Sequence, residues 1–90
     1  MLARIATFDR LSEDLDDDAV DLLRRTVKKV PGYVAGFHMV DPKTRKALSI
    51  AVFEDREALR RVGEALEARP EERKVGIAPD RVELFEAYEF

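Results

Sequence analysis

The two apolar runs Tyr33–Val40 (YVAGFHMV) and Ala47–Phe53 (ALSIAVF), with Asp41-Pro42-Lys43-Thr44-Arg45-Lys46 between them, constrain this chain more than any other feature. Asp-Pro followed by polar residues is turn chemistry, so the two runs read as the strands of an antiparallel hairpin. A four-residue loop of Pro42 to Arg45 places Asp41 opposite Lys46, a favourable cross-strand pair that sets the register. Met39 then faces Leu48, Phe37 faces Ile50 and Ala35 faces Val52 on one side. On the other side Val40 faces Ala47, His38 faces Ser49, Gly36 faces Ala51 and Val34 faces Phe53. Both faces are apolar, so both must be covered.

The rest of the chain supplies only enough to cover one. Leu2 to Phe8 reads as a first strand. Ser12-Glu13-Asp14 starts a helix whose apolar residues fall at 15, 19, 22, 23, 27 and 30. Acids Asp14 to Asp18 open it, Arg24, Arg25, Lys28 and Lys29 close it, and Pro31-Gly32 stops it, a charge order that suits the helix dipole. Asp55 caps a second helix with Ala58, Leu59, Val62, Ala65 and Leu66 on one face and Pro70 beyond its end. After a charged connector, Val82 to Phe90 reads as a fourth strand. The order βαββαβ predicts one α+β domain over residues 1–90. It is the ferredoxin-like arrangement, a four-stranded antiparallel sheet with both helices on one face. The bare apolar face is an association surface, which predicts a homodimer packed sheet to sheet.

Composition narrows the chemistry. The 90 residues contain no Cys and a single His, His38, which excludes disulfides, thiolate metal sites and a multi-histidine metal centre. Asn, Gln and Trp are also absent, a bias shared by heat-adapted proteins and GC-rich genomes. The N-terminus MLARIATFDRL carries Arg4 and Asp9 and does not read as a signal peptide. The longest uncharged run, Val30 to Val40, is too short to span a membrane. A cytoplasmic protein with no membrane partner is expected.

The two faces of the hairpin differ in size. Tyr33, Phe37, Met39, Leu48, Ile50 and Val52 crowd one, whereas Gly36, Ala47, Ser49 and Ala51 occupy the middle of the other. Small residues between a sheet and its helices either leave room for a ligand or let the helices approach closely. His38 and Ser49 project from that face, and Thr26 lies on the apolar stripe of the first helix.

The stretch Val30-Pro31-Gly32-Tyr33, then His38, then Ala47-Leu48-Ser49-Ile50-Ala51-Val52-Phe53-Glu54-Asp55-Arg56-Glu57-Ala58-Leu59 resembles the antibiotic biosynthesis monooxygenases, a branch of the dimeric α+β barrel superfamily. The resemblance implies a homodimer with a pocket between sheet and helices in each subunit and no cofactor. Members include oxygenases that turn aromatic polyketide phenols into quinones, and haem-degrading enzymes. Three family positions differ here: Ser49 stands in place of an Asn, Phe53 in place of a Trp and Val62 in place of a His. An oxygenase of this type deprotonates a bound phenol and holds its anion. That need points to His38 as base or donor and to Arg4 as anion holder. Ser49, Tyr33 or Tyr88 would be hydrogen-bond partners, and Phe53 and Thr26 further ligand contacts. By the register above, Tyr33 faces away from His38.

Two other readings compete with an enzyme acting on an aromatic small molecule. A non-catalytic barrel that binds a hydrophobic ligand, or has a stress or regulatory role, needs only the fold and the pocket. RNA-recognition domains share the βαββαβ order, but their third strand needs aromatic rings where this chain has Leu48 and Ile50. They also sit on basic surfaces, and this chain carries a net charge of −3, so nucleic acid is not an expected partner.

Overall fold

The computed structural model describes residues 1–12, 17–68 and 78–90. The elements are β1 (Leu2–Phe8), α1 (Asp17–Lys28), β2 (Tyr33–Val40), β3 (Ala47–Phe53), α2 (Arg56–Glu67) and β4 (Arg81–Glu86). The strands form one sheet in the order β2-β3-β1-β4, every neighbouring pair antiparallel. This is the ferredoxin-like α+β arrangement that the element order predicts. The expected start of the first helix at Ser12-Glu13-Asp14, and Pro70 beyond the second, fall at or outside the limits of the described residues.

Local chemistry explains the elements. Asp17 and Asp18 lie in the first turn of α1 and Arg25 and Lys28 in its last, each favourable toward the helix dipole. The Asp55 side chain accepts the Ala58 amide hydrogen at 2.9 Å and caps α2. In the β2–β3 loop the Asp41 carboxylate accepts from the amides of Lys43 (2.8 Å) and Thr44 (3.3 Å). These bonds hold it below its ordinary pKa. Asp41 and Lys46 are also joined through their backbones, the Asp41 amide donating to the Lys46 carbonyl at 2.8 Å. The expected register therefore holds from Val40↔Ala47 to Ala35↔Val52. The Asp41 carboxylate builds the turn rather than pairing with Lys46.

Beyond Ala35 the register shifts. Tyr33, not Val34, lies opposite Phe53, so β2 carries one extra residue and bulges at Val34. The side-chain period of a strand is two, so one inserted residue moves Tyr33 onto the face of Phe53, Ala51 and His38. The placement of Tyr33 facing away from His38 is thus corrected. The fourth strand also ends earlier than Phe90: β1 offers ladder partners only as far as Leu2↔Glu86. Tyr88, Glu89 and Phe90 run past the end of their partner strand.

Both helices lie over the face that carries Leu2, Arg4 and Ala6 of β1 with Ser49, Ala51 and Phe53 of β3. Phe53, 1% exposed, packs with Ala58 and Val62 of α2, and Val27, Val30, Tyr33 and Leu66 surround them. The chain measures 34 × 33 × 18 Å, thick enough for one sheet and one helix layer. The opposite face presents Ala35, Phe37 and Met39, then Leu48, Ile50 and Val52, then Ala3 and Ile5, with Phe85 on β4. Phe37 is 64% exposed and Phe85 48%.

Gly32 joins these parts. Its φ is +91°, and a Cβ there would lie 2.5 Å from the Ala58 Cβ. Replacing it with alanine imposes both a left-handed conformation and a collision with α2. Gly32→Ala is expected to lower the unfolding free energy by roughly 2–4 kcal/mol in urea titrations. A loss under about 0.5 kcal/mol would show that the contact does not limit stability.

Candidate functional site

Side chains at the centre of the covered sheet face are short. Gly36, Ala51 and Ser49 leave a gap under the helices, and the gap is a cleft of about 520 Å³. A well-packed interior leaves few voids larger than one water molecule, and small-molecule sites occupy roughly 300–1,000 Å³. The small residues therefore make room rather than draw the helices down. Apolar walls come from Leu23 and Val27 of α1, Leu59, Val62 and Leu66 of α2, and Phe53 of β3. A second cleft of about 270 Å³ lies toward Phe8, Leu11 and Val20. Arg4, His38 and Ser49 line both.

The ladder fixes where the polar groups stand. Gly36, Ala51 and Arg4 form one row across β2, β3 and β1, and His38, Ser49 and Ala6 form the next row on the same face. Arg4 rises from the second strand from the edge, and among the described residues no carboxylate or carbonyl engages its guanidinium. Of the acids on the neighbouring strand β4, Glu83 lies opposite Ile5 and thus on the other face, while Glu86 lies opposite Leu2, one row further along; Glu67 of α2 also lines the cleft. A half-buried cation with no protein partner favours an anion in the cleft beside it.

His38 is surface-accessible yet faces protein on the side of the cleft. Desolvation, and then the nearby Arg24 guanidinium, hold its pKa below the usual 6.5. At neutral pH the imidazole is uncharged and able to accept a proton.

The other expected residues divide. Ser49 faces His38 across the ladder and Phe53 closes one end of the cleft. The structure does not bring Thr26 to the cleft. Its hydroxyl donates to the Leu22 carbonyl at 2.8 Å, within α1, and Thr26 is not among the lining residues. Tyr88 lies beyond β4, 79% exposed, with its hydroxyl donating to Glu86 at 2.8 Å. Tyr33 enters the cleft because of the bulge, its ring edge-on to Phe53 with centroids 6.1 Å apart. No group of three His, Cys, Asp or Glu side chains suited to a metal ion occurs among the described residues. No described helix is long and apolar enough to cross a membrane.

No protein-family model and no curated protein sequence matches the chain. Solved structures do. A Chloroflexus aurantiacus protein assigned to the antibiotic biosynthesis monooxygenases superposes with a TM-score of 0.65 at 14% identity, over 99% of this chain and 94% of that one. A Streptomyces coelicolor monooxygenase in complex with the ligand nanaomycin D gives 0.59 at 16% identity, over 99% and 88%. A cofactor-independent oxygenase from Streptomyces nogalater gives 0.57 at 19% identity, over 99% and 91%. The fold of this chain is that of the antibiotic biosynthesis monooxygenases.

In an NMR titration the His38 ring protons should show a midpoint below 6.5, and Arg24→Ala should raise it without fully restoring the free value. A folded pKa below the unfolded one means that the unfolded chain binds the extra proton first. Stability from this group is therefore complete above pH 6.5 and declines as pH falls toward the depressed value. A midpoint at or above 6.5 would place His38 in open solvent.

Proposed function

We propose that this chain binds an aromatic phenolic small molecule in the cleft and oxidises it with molecular oxygen, without a cofactor. The observation that carries the reading is the pairing of an uncharged imidazole, His38, with a guanidinium, Arg4, that meets no anion among the described residues, both lining one apolar cleft. His38 accepts the phenol proton. Arg4 stands beside the anion so formed, and Ser49 offers a hydroxyl between them. The electron-rich ring carbon passes an electron to O₂ and then bonds to it. Protonation by the imidazolium gives a hydroperoxide, which loses water to leave a carbonyl. A ring methylene and O₂ thus become a ring ketone and water, with four electrons passing from carbon to oxygen and no external reductant. The likeness to the cofactor-independent oxygenase from Streptomyces nogalater supports this chemistry, and the nanaomycin D complex supports an aromatic ligand.

The test is aerobic and anaerobic incubation with a panel of hydroxy-anthrones, read in the visible for quinone and by electrode for O₂. Oxygen-dependent product is expected. His38→Ala should lower kcat at least 100-fold, the usual contribution of a general base. Arg4→Met should weaken substrate binding and turnover together. Undiminished activity in His38→Ala would remove it as the base. Tight binding with no oxygen consumed would make the chain a binding protein, the reading that the replaced positions Ser49, Phe53 and Val62 favour.

The assembly belongs to the same reading. A second copy covers the open face of Phe37, Met39, Ile50 and Val52, because an apolar sheet face of this extent is not stable in water. Light scattering should give twice the 10.3 kDa of one chain, and Phe37→Asp should yield the single-chain mass. A 10.3 kDa species of the unaltered protein would overturn the homodimer.

A further inference from the structure

Two glycines and the bulge converge on one phenol. The Tyr33 ring lies along β2, and its hydroxyl sits over Gly36, where a Cβ would come within 2.7 Å of the oxygen. No positive φ demands glycine at position 36; a Cβ there would be crowded most closely by the Tyr33 hydroxyl and next by the Ile50 backbone carbonyl, 3.2 Å away. That hydroxyl meets no hydrogen-bond partner among the described residues, and Tyr33, Gly36 and His38 all line the cleft. It stands at the β2 end of the row whose other end is Arg4, with Ala51 between. Adjacent strands are about 4.8 Å apart, so the backbones under the two groups are separated by roughly 10 Å. The His38–Ser49 row lies about 7 Å away along the strands, two residues on. The polar groups therefore border a patch floored by Ala51, the shape of a flat fused-ring molecule with room for oxygen atoms at opposite edges.

We propose that Tyr33 positions the ligand by donating a hydrogen bond to an oxygen on the edge opposite the one that Arg4 holds, so that the site holds planar aromatics oxygenated on both edges, as the quinone product is, more tightly than those oxygenated on one. The proposal rests on the reading of the cleft as an aromatic-ligand site and names the ligand class within it. Gly63 agrees with a ligand in this place. It lies inside α2 on the cleft lining, where a glycine costs about 1 kcal/mol relative to alanine, and a Cβ there would meet nothing within 4 Å. Protein packing does not require its missing side chain.

The experiment measures binding of two probes by fluorescence or calorimetry. The first is 1,8-dihydroxyanthraquinone, with oxygen on both long edges, and the second is 1-naphthol, with oxygen on one. Tyr33→Phe keeps the ring against Phe53 and removes only the donor. It should weaken the anthraquinone about tenfold, as expected for one hydrogen bond to ligand, and leave 1-naphthol unchanged. Gly36→Ala displaces the hydroxyl while every original cleft side chain remains, and it should produce the same selective loss. Thermal melts of both variants check that the fold is intact. Equal affinity of wild type and Tyr33→Phe for both probes overturns the proposal and leaves the cleft reading standing. An equal loss for both probes makes Tyr33 a wall rather than a donor, and also overturns it. Failure of the unaltered protein to bind either probe overturns the aromatic-ligand reading, and this proposal with it.

Discussion

The two ends of β2 are held in registers that differ by one residue. At the hairpin end the Asp41 amide donates to the Lys46 carbonyl, and each following pair keeps that phase as far as Ala35↔Val52. At the other end the Gly32 carbonyl accepts the Glu54 amide at 2.8 Å, with Gly32 pressed against Ala58. The first constraint is local turn chemistry. The second belongs to the junction between the end of α1, the end of β3 and the cap of α2. Neither can give way cheaply: one would lose the Asp41 turn, the other would drive backbone into a helix. The mismatch is absorbed by extruding Val34, and Tyr33 is turned toward the helices as a result.

The cleft follows from the same geometry. Without the bulge, Val34 would face Phe53, and that end of the site would be aliphatic. With it, a phenol lies over Gly36, and the interior gains a hydroxyl at that end of the cleft. The cleft stays open because Ala51 and Ser49 are too short to reach the helices, while Phe53 helps to close the end nearest α2. Arg4 in this setting is informative. A cation between a sheet and apolar helical walls loses hydration, and a carboxylate on the neighbouring strand would offset that loss. The strand phase sends Glu83 to the open face and sets Glu86 one row away, and no described carboxylate engages the guanidinium.

Much of this was legible in the residues. Asp-Pro at 41–42 located the hairpin, Asp55 located the second helix, and the phase from Val40 to Ala35 followed from pairing Asp41 with Lys46. The contrast between a bulky and a small hairpin face marked where either a cavity or a close helix approach would fall, and the stretch from Ala47 to Leu59 carried much of the family resemblance. The bulge was not legible, because Val34 and Tyr33 satisfy an inward position equally well by hydrophobicity. Only the three-dimensional closure at Gly32 distinguishes them. Thr26 misled for a related reason: helical spacing gives a face, whereas the hydroxyl bond to Leu22 is a choice of rotamer. The end of β4 depended on how far β1 reaches, a property of the partner strand rather than of residues 87–90.

Strand alternation ties the cleft to the open face. Every residue that β3 withholds from the helices it gives to the other side, so the small set Ala47, Ser49 and Ala51 is matched by the large set Leu48, Ile50 and Val52. β2 repeats the pattern, with Gly36 and His38 inward and Phe37 and Met39 outward. Emptying the interior thus loads the exterior with apolar side chains. The chain cannot keep a roomy cleft on one face and a water-compatible surface on the other without breaking the pattern in both central runs. An apolar outer face and a ligand-sized inner cleft are two consequences of one sequence choice, and a substitution that fills the cleft would leave the outer face as apolar as before.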